Sequence, residues 1–327
     1  MKKFDLTWGE SVCVRDAFLE TISGGPALFG LEELHHLGYP KHEGDPDLVE
    51  ITRQVIERQV GSSYTHVLLT NGAAGAVTLA LRAYRQKGYE ICHLNEPPFF
   101  PVYPSMVHSA GFESYSYGKM NADYRKKVRL IDSPSNPKNE VMEVIRPDID
   151  TAIVWDAVYH NKVYMKFDYK PIEHDVLIGS YSKLTGLNGI RVGWLATNDD
   201  LLFERFRELI TAEYCGISVP STAILKKYLS RFWWDSFEQN ANFRLDFNRE
   251  QWSKLEKYFG GQPVSPIGMF YYAPIDKACK KLMEKSHVLY MPGSSCGTTD
   301  DFARFNIGQD CRTVKKAVEA ILRNDKC

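Results

Sequence analysis

Short apolar segments alternate with helical patterns up to Asn198, and this alternation constrains the fold more than any other feature of the sequence. The strand-like segments are HVLLTN (66–71), EICHLNE (90–96), VRLIDSP (128–134), TAIVWDAVY (151–159) and DVLIGSYS (175–182). Several are continuously apolar, as in strands that helices cover on both faces. The segments AAGAVTLALRAYRQKG (73–88) and FPVYPSMVHSAG (100–111) predict helices between them. The alternation predicts an α/β fold with a mostly parallel central sheet flanked by helices.

The pattern changes after Asn198. The segment DDLLFERFRELITAEY (199–214) predicts an amphipathic helix that begins at an aspartate cap. Longer helical patterns follow, and GMFYYAPI, HVLYMPG and FARFNIG then predict short strands around two helices. This second part of the chain therefore predicts a smaller α+β domain.

Charge and composition argue against nucleic-acid and membrane partners. The 327 residues carry a formal net charge of -1 and no polybasic run. No segment approaches the roughly 20 apolar residues of a membrane helix, and the N-terminal segment MKKFDLTWGESVCV does not resemble a signal peptide. The seven cysteines are scattered without a CxxC pair, which favours reduced thiols in a cytoplasmic protein. No His/Cys cluster has ligand spacing, and the pair His35–His36 is more typical of a helix surface, so we predict no metal site.

Small, polar and aromatic residues follow the predicted strands, at the edge of the sheet where α/β proteins bind ligands. They are Gly72, Ala73 and Ala74 after the first strand, then Asn136, then Asp156 and Tyr159, then Ser180 and Lys183. The turn TNGAAGA exposes backbone N–H groups at a helix N-terminus, which suits a phosphate. A tight turn with small residues for packing is the simpler interpretation, and both nucleotide-binding fingerprints, GxGxxG and GxxxxGK[ST], are absent. Asp156 and Asn136 have similar alternatives as turn-capping residues.

The segment SYSKLTGLNGIRVGW (180–194) places a lysine and an arginine between two apolar strands. An exposed lysine is the simpler interpretation of Lys183, but both flanks predict burial, and a buried lysine has a lowered pKa. With the strand-end residues, this segment resembles the S-x-x-K…G…R-x-G signature of fold-type I pyridoxal phosphate (PLP) enzymes, in particular the class I/II aminotransferases. The similarity extends from LTWGES to FARFNIG. It implies PLP as the cofactor, and an α-amino acid and a 2-oxo acid as substrates.

The resemblance gives roles around the cofactor ring. Lys183 would form the internal aldimine with PLP and later move protons. Asp156 would pair with the pyridine nitrogen, which lets the ring accept electrons. Tyr159 and Asn136 would bond the phenolic oxygen, and Phe100 would stack on the ring. Lys183, Asp156 and Tyr159 are thus the implied catalytic residues.

The resemblance also implies how the cofactor phosphate is held. Ser180 and Arg191 would bind it together with the N–H groups that follow Gly72, and an arginine suits this task because its planar fork makes bidentate bonds. Tyr39 is similar to a tyrosine that reaches the phosphate in the neighbouring subunit. The resemblance therefore implies a homodimer.

The substrate carboxylate and the domain boundaries follow from the same resemblance. Arg304 would clamp the α-carboxylate of the amino acid, close to Asn136 and to a backbone contact at Gly9. A large PLP-binding domain would span residues 30–205. A small domain would combine an N-terminal arm with the C-terminal part, residues 1–29 and 206–327.

The sequence leaves other functions open. SKLTGLNGIRVGW is also similar to the alliinase-like branch, so the main alternative is a PLP-dependent lyase or cyclase acting by β/γ-elimination. Elimination usually needs a second acid near the leaving group, for which Glu10 and His160 are the nearest candidates by motif position. A non-catalytic module with a PLP-enzyme fold predicts a lost lysine, whereas Lys183 is present. An unrelated nucleotide-binding α/β protein would leave the matching residues unexplained.

Overall fold

The computed structural model describes residues 3–7, 9–21, 38–116, 126–143, 146, 148–166, 170–229 and 233–325. The pair His35–His36 lies outside the described residues. Within these ranges, seven strands form the central sheet: β2 (His66–Thr70), β3 (Ile91–Leu94), β4 (Glu113–Ser116), β5 (Lys127–Asp132), β6 (Thr151–Asp156), β7 (Val176–Ser180) and β8 (Gly193–Thr197). Their order across the sheet is β2-β8-β7-β6-β5-β3-β4.

The central sheet is mostly parallel, as predicted. Strand β8 runs antiparallel to both of its neighbours, β2 and β7. The pairs from β7 to β4 are all parallel. The carboxyl ends of β5, β6 and β7 therefore lie at one edge of the sheet.

Helices cover both faces of this sheet, which explains the continuously apolar strands. The helices are α1 (Val12–Thr21), α2 (Pro46–Val60), α3 (Gly72–Gln86), α4 (Tyr103–Ser109), α5 (Tyr181–Leu184), α6 (Asp200–Glu213), α7 (Val219–Leu229), α8 (Trp234–Ser253), α9 (Lys277–Lys285) and α10 (Cys311–Asp325). Short 3₁₀ turns lie at Asn188–Ile190, Glu256–Phe259 and Gly293–Cys296. In β6, Ile153 and Trp155 belong to the core beneath α1, α2 and α7. Ala152 and Val154 belong to the core beneath α3, α4 and α6.

Local sequence signals set several helix boundaries. Asp199 caps α6 by accepting a hydrogen bond from the N–H of Leu202 at 2.9 Å, as the sequence predicted. Asp45 caps α2 in the same way. The helix predicted over residues 100–111 is shorter, Tyr103–Ser109, with Pro104 in its first turn, where a missing N–H costs no helical bond.

A smaller α+β part packs its own core, as predicted. Its antiparallel sheet has the order β11-β12-β9, built from β9 (Phe270–Pro274), β11 (Met291–Pro292) and β12 (Phe302–Asn306). Strand β1 (Phe4–Asp5) pairs in parallel with β10 (Val288–Leu289), so the N-terminal strand joins this part. Aromatic residues of α8, β9 and β12, among them Trp252 and Phe305, fill the core. The boundaries at residues 30 and 205 stay a prediction.

Three observations on the described residues bear on partners and metals. None of the helices found there has the length and apolar character needed to cross a lipid bilayer. No group of acidic, histidine and cysteine side chains suited to a metal ion occurs in the same ranges. The described cysteines are free thiols.

Candidate active site

A cavity of about 420 Å³ opens at the carboxyl ends of β5, β6 and β7. It brings together most of the residues that the sequence singled out: Gly9, Ala73, Ala74, Phe100, Asn136, Asp156, Tyr159, Ser180, Lys183, Arg191 and Arg304. They come from both parts of the chain. Gly9 follows β1 and Arg304 lies on β12, so both belong to the smaller α+β part. The cavity therefore lies between the large sheet and the smaller α+β part.

Lys183 lies on the four-residue helix α5, directly after β7. Ser180 begins this helix and accepts a hydrogen bond from the N–H of Ser182 at 3.1 Å. The Nζ atom of Lys183 donates to the carbonyl oxygen of Gly9. Burial, assisted by the charges of Arg304 and Arg191, lowers the pKa of Lys183 to about 8. A large fraction of this amine is therefore neutral near pH 8, and a neutral amine can act as a nucleophile or a base.

Arg191 and Gly72 form a cradle for an anion at the start of α3. Gly72 has a φ of +68°, and a Cβ at this position would lie 2.5 Å from Nη2 of Arg191. Only glycine therefore allows the guanidinium to approach the turn so closely. The guanidinium is held by the carbonyl oxygen of Asn188, to which Nη1 donates at 3.1 Å. A cation beside the N-terminus of a 15-residue helix suits a phosphate group.

Asp156 ends β6 and is buried at the base of the cavity. Its Oδ2 accepts a hydrogen bond from the hydroxyl of Tyr103 at 2.7 Å, and its Oδ1 accepts one from the N–H of Val158 at 3.1 Å. Burial raises the pKa of Asp156 to about 6. The carboxylate thus remains the main form at pH 7 and can bind a protonated ring nitrogen. The sequence did not identify Tyr103 as its partner.

Arg304 lies on β12 with only 3% of its surface exposed. Nη1 donates to Oδ1 of Asn136 and Nη2 to the carbonyl oxygen of Thr7, both at 3.0 Å. The guanidinium lies over the ring of Phe270, 4.5 Å from the centroid. Its buried Nε has no hydrogen-bond partner within the described ranges. A buried guanidinium with a free donor in a cavity wall suits a carboxylate ligand.

Apolar side chains form much of the remaining wall. They are Val77 of α3, Val102 and Met106 at α4, and Met291 of β11. Glu10 adds a carboxylate. The sequence did not assign the apolar residues to the site, because they belong to helix faces and a strand whose packing is set by the tertiary fold.

Two candidates lie apart from the cavity. Tyr39 has 94% of its surface exposed and does not line it. His160 is buried edge-on against Trp155, with ring centroids 4.8 Å apart, and it also lies outside the lining. Burial lowers the pKa of His160 to about 4, so it is neutral at pH 7.

Comparison with known proteins gives consistent similarities. A family model described as Allinase matches residues 59–262. The chain is 25% identical over 284 residues to the (5-formylfuran-3-yl)methyl phosphate transaminase of Methanocaldococcus jannaschii, which covers 78% of this chain and 74% of that protein. It is 28% identical over 327 residues to the probable aspartate aminotransferase of the same organism, with 86% and 84% covered. The structure of an aspartate aminotransferase from Rhizobium meliloti has the same fold, with a TM-score of 0.77 over 99% of this chain and 91% of that chain, at 18% identity.

Proposed function

The chain belongs to the allinase family, within the fold-type I PLP-dependent aminotransferases, and from this premise we propose that it transfers the amino group of an α-amino acid to a 2-oxo acid. The resemblance drawn from the sequence and the predicted fold type are thereby confirmed. One observation carries the proposal: a buried lysine amine, a buried carboxylate and a buried guanidinium with a free donor line the same cavity.

The residues of the cavity fit PLP, which the family implies. At the cradle, the cation of Arg191 and the N-terminus of α3 can both bind the phosphate. A Cβ at position 72 would fill the space beside the guanidinium of Arg191. Asp156 offers a carboxylate to the pyridine nitrogen, and Tyr159, Asn136 and Phe100 line the same space. The cofactor, when bound, supplies an aldehyde for the amino group and a ring that withdraws electrons from the substrate.

In this proposal, Lys183, Arg304 and Asp156 have separate roles in binding or proton transfer. Lys183 holds the cofactor, and its Nζ then takes the proton from the α-carbon of the amino acid and moves it. Arg304 binds the substrate carboxylate through the donors that Asn136 and Thr7 leave free. Asp156, oriented by Tyr103, keeps the ring nitrogen protonated.

The proposal includes a homodimer in the cytoplasm. Tyr39 supports the dimer, because its almost fully exposed side chain can reach a neighbouring subunit. The free cysteines support a reducing compartment. In the dimer, Tyr39 would contribute to the phosphate site of the partner subunit.

A second candidate function is elimination from a β- or γ-substituted amino acid. The matching family model is described as Allinase, and Glu10 places a possible second acid in the cavity wall. Both reactions use the same lysine and the same carboxylate clamp. They differ in where the amino group goes.

Transfer of isotope tests the proposal. PLP-loaded protein is incubated with ¹⁵N-labelled amino acids and unlabelled 2-oxo acids, and the new amino acids are analysed by mass spectrometry. We expect ¹⁵N in the amino acid derived from the 2-oxo acid, and none with Lys183→Ala. Lys166→Ala is the matched control, because Lys166 is a half-exposed lysine paired with Asp246, away from the cavity. Release of ¹⁵N only as ammonia would refute the transfer and support elimination.

A further inference from the structure

A second buried acid, Asp132, lies beside the proposed cofactor-binding carboxylate. Asp132 ends β5 and pairs in parallel register with Asp156 at the end of β6. Only 4% of its surface is exposed, and it lines the cavity. None of the roles proposed above uses it. A carboxyl group with no function in such a position would reduce stability, since burial disfavours its charged form.

The two oxygens of Asp132 bind two amides of the chain. Oδ2 accepts the backbone N–H of Asn136 at 2.8 Å, and Oδ1 accepts the side-chain Nδ2–H of Asn95 at 3.1 Å. Asn136 in turn accepts a hydrogen bond from Nη1 of Arg304 at 3.0 Å. A continuous series of hydrogen bonds thus joins the end of β3 to the guanidinium on β12.

We infer that Asp132 is a positioning residue: it fixes the backbone of Asn136, so that Oδ1 of Asn136 stays on Arg304 and orients the guanidinium for the substrate carboxylate. This inference rests on the proposed function of Arg304. Without the acceptor at position 132, the loop that follows β5 loses its attachment at the N–H of Asn136. Of its three contacts, the guanidinium then keeps the carbonyl of Thr7 and the ring of Phe270.

The electrostatic setting makes this role depend on pH. Burial, together with the negative charge of Asp156, raises the pKa of Asp132 to about 7. Among the described residues, the titratable groups that interact with it are Asp156, Tyr103 and Tyr159. The cation of Arg304 lies one residue further on, at Asn136. The carboxylate form accepts both amide hydrogens in charge-assisted bonds, which are stronger than the bonds that a neutral carboxyl group accepts. Binding of the substrate carboxylate should therefore weaken as the pH falls through about 7.

The neighbouring amide makes an asparagine variant informative. Oδ1 of Asn95 is buried without a hydrogen-bond partner among the described residues. If Asn95 turns its amide over, this oxygen can accept from the new amide of Asp132→Asn, whose own oxygen can still accept from Asn136, as the neutral carboxyl group does. Asp132→Asn thus keeps a neutral acceptor at every pH and removes the titration. Asp132→Ala removes the acceptor as well.

The experiment measures binding and turnover in the PLP-loaded full-length protein between pH 6 and 8.5. The binding probe is 2-aminoisobutyrate, which has a carboxylate but no α-hydrogen. For Asp132→Ala we expect Kd for the probe and KM for the amino donor to rise about tenfold at pH 8, as for loss of one buried hydrogen bond, with the Kd for PLP changed less than about threefold. For Asp132→Asn we expect, from pH 6 to 8.5, the weaker binding that the wild type shows at pH 6, without a dependence on pH. Asp150→Asn, an exposed acid at the opposite end of β6, is the control and should match wild type.

Two results would overturn the inference. One is Asp132→Ala with unchanged binding of 2-aminoisobutyrate, or with equal losses of probe and PLP affinity. The other is Asp132→Asn that keeps the pH dependence of the wild type. If Asp132→Ala does not fold, the pH profile of Asp132→Asn decides. Failure of the proposed transfer reaction would appear separately, as a wild-type protein that binds the probe but moves no amino group.

Discussion

Replacing Arg304 by lysine separates substrate binding from cofactor binding. The change keeps a positive charge in the cavity wall but replaces the planar guanidinium with a single ammonium group. Three contacts fix the guanidinium: Asn136, Thr7 and the ring of Phe270. A lysine cannot reproduce this geometry and also present two parallel donors to a carboxylate.

The size of the effect follows from the lost bonds. A hydrogen bond from a charged donor contributes about 2 kcal/mol, and a second parallel bond to the carboxylate is the one that lysine loses. We therefore expect KM for the amino acid to rise about 30-fold, since 1.4 kcal/mol corresponds to a factor of ten. The Kd for PLP should change less than about threefold, because the proposed cofactor contacts lie on other residues.

The assay compares two variants in two measurements. KM is measured from initial rates with the best amino donor, and the Kd for PLP is measured by titrating the cofactor into apoprotein. Arg191→Lys is the matched variant, with the same chemical change at the anion cradle beside Gly72. It should weaken PLP binding strongly and change KM little. Equal loss of substrate and cofactor affinity in Arg304→Lys would refute the reasoning and indicate a structural role for Arg304.

Three further predictions concern the same site. The rate at which apoprotein captures PLP, followed by absorbance, should rise about tenfold per pH unit below pH 8 and level off above it. The reason is that burial lowers the pKa of Lys183 to about 8 and only the neutral amine reacts. A flat profile from pH 6.5 to 9 would contradict this prediction. Glu10→Gln should raise kcat/KM for aspartate about threefold or more and leave leucine unchanged, since it removes a negative charge from the cavity wall. Equal effects on both amino acids would place Glu10 away from the substrate side chain. Mixing Lys183→Ala subunits with Tyr39→Phe subunits should restore one intact site per heterodimer. The mixture should therefore be more active than either parent variant. A protein that is monomeric by light scattering and fully active would show that Tyr39 serves no neighbouring site.

The sequence predicted the positions of many cavity residues because they follow strands. Asn136, Asp156 and Ser180 lie at the carboxyl ends of β5, β6 and β7, which converge in a parallel sheet. Their individual roles, and those of Arg304 and Gly9, came from the resemblance and remain predictions. The small residues after β2 could be placed at a helix start by the turn pattern alone.

Contacts between distant strands could not be predicted in the same way. Tyr103 and Asp156 are 53 positions apart, and Asn95 and Asp132 are 37 apart. Asn95 meets Asp132 because β3 and β5 are adjacent in the sheet, whereas Tyr103 reaches Asp156 from helix α4. Neither the order of parallel strands nor the packing of a helix on them is encoded in local periodicity. The exclusion of His160 from the cavity has a similar cause, since the turn after Tyr159 directs it toward Trp155.

A single-turnover reaction without any 2-oxo acid tests the central claim most directly. PLP-loaded protein at a known concentration is mixed with an excess of amino acid, and 2-oxo acid, ammonia and thiol are measured over time. We predict one equivalent of 2-oxo acid per active site, no ammonia, and a stop after that turnover until a second 2-oxo acid is added. Continuous release of ammonia, thiol or a cyclised product would contradict amino transfer and assign the site to elimination.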